Sequence, residues 1–421
     1  MKSQFYSYRN NGFFIEGVSL AALAKKYGTP LYVYSGSTIL ASFRSYTSAF
    51  ESLPHLICYS MKANSSLALG ALLNKNGGGV DIVSGGELKR AFQIGFDPRR
   101  IIFSGVGKTK EELSLAIQKN IRMINVESEE ELKALDEVSK SLKKTAAFSL
   151  RVNPDVRAGG HPHISTGTPK NKFGVYHKNI FPLYKWAQKQ KYLNPVGIQS
   201  HIGSQITEVT PYKRALAVLL NLVNELRRIG VKPEIIDLGG GLGVNYQGEK
   251  PDTPQNLADI LVPALKDSGL TLFLEPGRSI VAQSGILLTK VLYRKNAANK
   301  HFVIVDAAMN DLARPALYDA YHEIVPVQKR NGSYVTADIV GPICESGDYL
   351  AKERKILMPH QGELLAVMTA GAYGFSMSSQ YNSRPRPAEV LVQGSQAHLI
   401  HERENYDDLV KGESIPSYLK I

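Results

Sequence analysis

Lys62 stands in Tyr59-Ser-Met-Lys-Ala-Asn64, directly after the apolar run His55–Tyr59. A lysine at the end of a strand in a β/α protein projects into the barrel mouth. Desolvation there lets the ammonium lose its proton and act as an amine nucleophile, the starting point of Schiff-base chemistry. Taken alone this is weak, because most lysines are solvated surface charges. Other strand ends add to it. Ser200-His-Ile-Gly-Ser-Gln205 offers the flat ring of His201 and the hydroxyl of Ser204, although a lone histidine at a strand end is more often a satisfied core residue. Ile235-Ile-Asp-Leu-Gly-Gly-Gly-Leu-Gly243 exposes successive backbone N–H groups at Gly239, Gly240 and Gly241, which suits a phosphate, where a simple turn needs fewer glycines. Glu275-Pro-Gly-Arg278 aims a carboxylate into the mouth, and Asp81-Ile-Val-Ser-Gly-Gly-Glu87 has small residues that admit either a ligand or a tight turn.

An amine, an aromatic ring, an anion cradle and a carboxylate are the parts that hold pyridoxal 5'-phosphate. The lysine bonds the cofactor, the ring stacks on it, the glycines take its phosphate, and the carboxylate keeps the pyridine nitrogen protonated so that the ring accepts electrons. This chemistry requires no metal.

Such a site needs parallel strands that deliver their C-terminal ends to one rim. Short β-type runs alternate with amphipathic stretches from residue 55 onward, at a spacing of roughly 20 to 45 residues, the pattern of βα units. Eight strands are expected, near His55–Tyr59, Gly79–Val83, Ile101–Ser104, Met123–Val126, Ala146–Val152, Val196–Ser200, Glu234–Leu238 and Thr271–Leu274. Helices are expected from Lys110 and over Tyr212–Ile229, with a capping box at Ser128-Glu-Glu-Glu131. The fold class is therefore α/β, a (β/α)8 barrel over residues 30–278. Beyond Arg278, runs such as Ile280–Ala282, Ile286–Tyr293, His301–Val305, Tyr334–Val340 and Glu363–Thr369 predict a mainly antiparallel β-domain over 279–421, with 1–29 contributing to it.

The 421 residues, 43% hydrophobic and 21% charged, suit two globular domains. The net charge of +12 is scattered in Lys-Lys and Arg-Arg pairs without a long basic run, which argues against nucleic acid and leaves room for steering of anionic ligands. No stretch approaches the about 20 apolar residues of a membrane helix. Cys58 and Cys344 lie far apart, as in a reducing compartment. A cytoplasmic chain is expected.

The motifs, in their order, resemble the fold-type III, alanine-racemase-like pyridoxal-phosphate decarboxylases and, within them, the diaminopimelate decarboxylase family. The resemblance runs from Tyr59-Ser-Met-Lys-Ala-Asn64 through His201-Ile-Gly-Ser-Gln205, Gly239-Gly-Gly241, Glu275-Pro-Gly-Arg278, Arg314-Pro-Ala-Leu-Tyr318, Cys344-Glu-Ser-Gly-Asp348 and Gly371-Ala-Tyr-Gly374 to Tyr381-Asn-Ser-Arg-Pro-Arg386. It implies that Lys62 is the cofactor lysine, with Asp81 beside the cofactor, His201 on the ring and Glu275 at the pyridine nitrogen. It places Ser204, Gly240, Gly241, Gly277, Arg278 and Tyr373 about the phosphate, and Arg278, Arg314, Tyr318 and Tyr373 with the substrate, the arginines on its distal carboxylate. The resemblance further implies a homodimer with shared active sites, Cys344 reaching in from the other subunit as proton donor and Glu345 meeting the distal ammonium. The implied reaction is decarboxylation of meso-2,6-diaminopimelate to L-lysine. Ile164–Gly174 also matches and would place a loop over the substrate. Ser60-Met61 departs from the Ala-apolar pair common before the lysine, which could alter packing beneath the cofactor. The alternatives are a relative acting on arginine, ornithine or lysine, whose cationic ends two arginines would repel, and a catalytically inert regulator. A barrel-only cofactor carrier fits less well, because this chain has a second domain.

Overall fold

The computed structural model describes residues 5–157, 172–298 and 300–420. The chain divides into two compact units, Ile39–Val281 and a second made of Met1–Thr38 with Ala282–Ile421.

The first unit is a closed barrel of eight parallel strands: β1 (His55–Ser60), β2 (Gly79–Ile82), β3 (Ile101–Phe103), β4 (Met123–Val126), β5 (Ala146–Asn153), β6 (Leu193–Gln199), β7 (Ile235–Asp237) and β8 (Thr271–Leu274). β8 pairs with β1 and β4 with β5, so the ring has no free edge. The strands are buried along most of their length because both faces are covered, by side chains inside the barrel and helices outside. The helix Thr210–Arg228 shows why the connections are helical: Tyr212, Ala215, Leu216, Leu219, Leu222, Val223 and Leu226 are buried along one stripe. Within the barrel, Cys58, Ile102, Met123, Val196, Ile235 and Phe273 pack as one apolar cluster.

In the second unit a mixed sheet runs in the order Tyr349–Leu357, Tyr334–Val340, Lys300–Val305, Gly285–Ala297, Leu31–Ser35, Ala388–Gln393 and Gln396–His401. Most of its pairs are antiparallel, and two are parallel. Its core joins Leu31, Val33, Ile286, Leu288, Ala366, Val390 and Val392. A separate antiparallel sheet of three strands spans Tyr6–Arg9, Gly12–Ile15 and Val18–Ser19.

Three sequence expectations need correction. Ile280–Ala282 is helical, Arg278–Val281 being an α-turn that runs into a 3-10 turn at Ala282–Ser284. All three residues are buried, and a short buried apolar run carries no period that separates helix from strand. The units divide after Thr38 and Val281 rather than at 30 and 278, because Leu31–Ser35, buried throughout, is a central strand of the second unit's sheet. At Ser128 only half of the expected capping box forms: the Ser128 hydroxyl accepts the Glu131 N–H, but the Glu131 carboxylate takes the Glu127 N–H and the Lys108 ammonium.

Candidate active site

Lys62 follows β1 on a 3-10 turn, Met61–Ala63. Its Nζ donates to Asp81 Oδ2 at 2.7 Å; the lysine side chain is 36% exposed and the aspartate wholly buried on β2. The amine therefore stands at the rim with its charge balanced from below. Ser60 Oγ lies 2.9 Å from both Asp81 Oδ2 and the Glu275 carbonyl, so the departure noted at Ser60 ties β1 to its neighbours on both sides.

Glu275, directly after β8, is buried. Its Oε1 accepts Gln199 Nε2 at 3.2 Å, Asn125 Nδ2 at 3.3 Å and Ser104 Oγ at 3.4 Å. Ser149 on β5 donates in turn to Asn125 Oδ1 at 2.6 Å. Asp237, the last residue of β7, turns Oδ1 to the Gly239 N–H at 2.8 Å. Ser104, Asn125, Gln199 and Glu275 thus converge near the C-terminal ends of β3, β4, β6 and β8 as a hydrogen-bonded floor, which Ser149 supports from the middle of β5. Burial, then the Asp237 and Asp81 carboxylates, push Glu275 well above the ordinary carboxyl range, and burial lifts Asp237 to about 6.

His201 Nδ1 accepts the Gly240 N–H at 3.1 Å, so its proton sits on Nε2. Burial, then the charges of Arg151 and Lys62, hold the imidazole well below its usual range and keep the ring neutral. The triglycine turn is constrained by contact: a Cβ at Gly240 would sit 2.0 Å from the Glu275 carbonyl, and one at Gly241, whose φ is +107°, 2.2 Å from the Gly203 carbonyl. The amides of Gly239 and Gly240 are occupied by Asp237 and His201, so the expected open row of three N–H groups is reduced. Beside this turn, Arg278 donates to Ser204 Oγ at 3.2 Å and Tyr246 Oη at 2.9 Å. At Gly277 a Cβ would crowd Ala63 and Ser60 at 3.0 Å, so glycine lets the β8 end close against the lysine turn.

In the second unit, Arg314 and Tyr318 are one helical turn apart on Arg314–Tyr318. Arg314 Nη1 donates to His322 Nε2 at 2.9 Å, and His322 Nδ1 donates to the Met368 carbonyl at 2.8 Å. Cys344 is exposed. Its N–H donates to Asn382 Oδ1 at 2.8 Å, and Tyr381 Oη donates to Glu345 Oε2 at 2.8 Å. Tyr373 has a φ of +55°, a sparsely populated backbone state for a bulky residue. Of the segment Ile164–Gly174, residues 164–171 lie outside those described. Its end is anchored: the Gly174 N–H reaches Glu127 Oε2 at 3.1 Å, and Phe173 lies 4.7 Å from the Arg151 guanidinium.

Sequence reasoning missed Ser104, Asn125, Ser149, Gln199, Asp237, Tyr246 and the Glu127–Arg151 pair. A usable signal existed for several: a single polar residue stands near the end of the apolar runs Met-Ile-Asn-Val126, Gly-Ile-Gln199 and Ile-Ile-Asp-Leu238. The set fits pyridoxal 5'-phosphate. It has an amine at the rim, a neutral ring, a buried carboxyl at the floor, a guanidinium–hydroxyl pair beside a tight glycine turn, and a buried Asp81 Oδ1 still without a partner.

Residues 36–282 match the family described as pyridoxal-dependent decarboxylase, pyridoxal binding domain, which defines the class. The chain is 50% identical over 408 residues to the diaminopimelate decarboxylase of Aquifex aeolicus, covering 97% of each. It is 48% identical over 410 residues to that of Pseudomonas aeruginosa, covering 97% of this chain and 99% of the relative. The structure of diaminopimelate decarboxylase from M. jannaschii in co-complex with L-lysine superposes with a TM-score of 0.95 at 39% identity and full coverage of both chains. This chain belongs to the diaminopimelate decarboxylase family.

Proposed function

We propose that the protein removes the α-carboxylate of meso-2,6-diaminopimelate to give L-lysine and CO2, the last step of lysine synthesis by the diaminopimelate route. The observation that carries this reading is the near-full-length identity to diaminopimelate decarboxylases. Pyridoxal 5'-phosphate, when bound, supplies the electron sink for the bond to the departing carboxylate. Lys62 holds it through its amine, and Asp81 balances that amine whenever it is protonated. His201 covers one ring face, and its neutral state avoids placing a cation against a ring that must accept electrons. Glu275 keeps a proton on the pyridine nitrogen. Ser204, Gly241, Gly277, Arg278 and Tyr373 enclose the phosphate; Gly240 contributes close backbone approach, its amide being used by His201.

Arg278, Arg314 and Tyr318 bind the distal carboxylate, for which a planar guanidinium is the matching donor. Cys344 donates the Sγ proton to the carbon that loses CO2, and Glu345 receives the distal ammonium. Both act across a homodimer interface, which accounts for an exposed cysteine and glutamate in a single chain. The enzyme works in the cytoplasm in this reading, supported by its two unpaired cysteines and by the absence, among the described residues, of a helix long and apolar enough to cross a membrane.

Turnover of a panel of amino acids tests the proposal. Two charge-assisted contacts to the distal carboxylate, at about 1.5 to 3 kcal/mol each, give meso-diaminopimelate at least about a hundredfold higher kcat/KM than L-lysine, L-ornithine or L-arginine. Faster decarboxylation of arginine or ornithine overturns it.

A further inference from the structure

We infer that His322 is a positioning residue for Arg314: its neutral imidazole fixes the guanidinium in the orientation that receives the distal carboxylate, and so sets the preference for a substrate carrying that group. The inference deepens the reading of Arg314 given above and rests on it.

Arg314 and His322 are both buried, His322 completely. An arginine side chain only donates, so the contact of Arg314 Nη1 with His322 Nε2 at 2.9 Å requires a lone pair on Nε2. The ring proton is then on Nδ1, where the Met368 carbonyl, which only accepts, lies at 2.8 Å. Two independent partners thus dictate the same neutral tautomer. A second proton on the ring would take the acceptor away from Arg314 and set two cations against each other in a buried place.

The imidazole is itself held by the sheet. Antiparallel pairing of Ile324–Pro326 with Leu364–Val367 sets Ile324 opposite Val367, and the Met368 N–H continues the ladder to the Glu323 carbonyl at 2.8 Å. Arg354 Nη1 donates to the His322 carbonyl at 2.7 Å, and its guanidinium lies 3.8 Å from the centre of the Tyr321 ring. Arg314, by contrast, starts the short helix Arg314–Tyr318, which ends at Asp319 in left-handed backbone with a φ of +50°. Such a helix holds a long side chain only at its root. His322 carries the rigidity of the sheet to the far end of that side chain, and a planar fork matches a planar carboxylate only when its plane is fixed. The type of acceptor matters as well. A carboxylate in the place of His322 would orient the arginine and cancel its charge, whereas imidazole orients it without cancelling the charge, which recognition of an anionic group needs.

Two substitutions separate the contacts. In His322→Asn the amide nitrogen stands where Nδ1 was and keeps the bond to Met368, but the side chain is too short to offer Arg314 an acceptor. In His322→Gln the amide oxygen stands where Nε2 was, so the acceptor for Arg314 is kept and the bond to Met368 is lost. For the holoenzyme acting on meso-diaminopimelate, kcat/KM is expected to fall at least about tenfold in His322→Asn, equivalent to about 1.4 kcal/mol, and to stay within about threefold of wild type in His322→Gln. Inhibition by 1,5-diaminopentane, the same diamine chain without a carboxylate, should stay within about threefold of wild type in both variants. His322→Asn should add nothing to the loss in Arg314→Ala, because it acts through that arginine. In long-range 1H–15N spectra of holoenzyme labelled with 15N-histidine, the ring lost on His322→Gln substitution should be neutral and protonated on Nδ1. Equal losses in the two variants, an equal weakening of inhibition by the diamine, a loss that multiplies with that of Arg314→Ala, or a proton on Nε2 overturns the inference. A wild-type rate in Arg314→Ala overturns the carboxylate-clamp reading and this inference with it. Failure of the proposed function shows separately, as no turnover of meso-diaminopimelate by the wild type, and the ring tautomer is read without any turnover.

Discussion

Glu127→Ala tests how the rim of the barrel is held. The Glu127 carboxylate lies 2.8 Å from Arg151 with both side chains nearly excluded from water, and it also accepts the N–H groups of Gly105 at 3.1 Å and Gly174 at 3.1 Å. One carboxylate thus ties the ends of β3 and β5 to the segment that re-enters at Phe173. Removing it leaves a buried guanidinium without its counter-charge, which costs about 3 to 5 kcal/mol. The two amides add little, because both are partly open to water and can be rehydrated. Arg151→Met should cost less, about 2 kcal/mol, since the remaining carboxylate keeps two N–H donors. The double variant should then be more stable than the sum of the singles implies, by about 2 kcal/mol, because no charge is left buried. Equilibrium urea unfolding followed by Trp186, the only tryptophan, reports on this unit directly, since that residue lies on the barrel helix Ile180–Ala187. Additivity of the two singles within about 0.5 kcal/mol would refute the pairing argument.

Lys62→Ala should abolish the absorbance of the bound cofactor and nearly all turnover; full activity would remove Lys62 from the site. If Cys344 serves the partner's site, mixing Lys62→Ala with Cys344→Ala chains should restore activity towards about a quarter of wild type, since about half of randomly reassorted dimers are hybrid and each hybrid has one intact site. No recovery after confirmed subunit exchange would place both residues in one chain's site. Asp311 is raised by burial to about 7, against an unfolded value near about 3.9. The folded state therefore binds the extra proton between those values, and stability falls as pH rises from about 4 to about 7. Asp311→Asn, which keeps an acceptor for the Ala308 N–H, should flatten that slope and raise the neutral-pH unfolding midpoint; an unchanged slope would assign it to other groups.

All eight barrel strands were legible because short apolar-rich runs bounded by turn residues recur between amphipathic stretches. The rim positions of Lys62, His201, Glu275 and the glycines were legible because strand ends of such a barrel converge on one rim. The polar floor was not, since Ser104, Asn125 and Gln199 gain their role only when closure brings β3, β4 and β6 opposite β8. The use of the Gly240 amide was equally hidden: that N–H looks available in a linear motif, and only the parallel pairing of β6 with β7 brings it to His201. Ile280–Ala282 failed for a local reason, a run too short for its period to speak.

The division of the chain has a consequence for its biogenesis. Leu31–Ser35 leaves the ribosome early, yet its sheet neighbours are Gly285–Ala297 and Ala388–Gln393. During translation this apolar strand must wait while the whole barrel is synthesised, with both hydrogen-bonding edges unsatisfied. Such delayed, distant pairing slows folding and exposes aggregation-prone edges. The barrel draws its partners from consecutive segments and can close first, so the β-domain is the unit whose completion limits the yield of native chains and the one on which a chaperone that shields nascent strands would act.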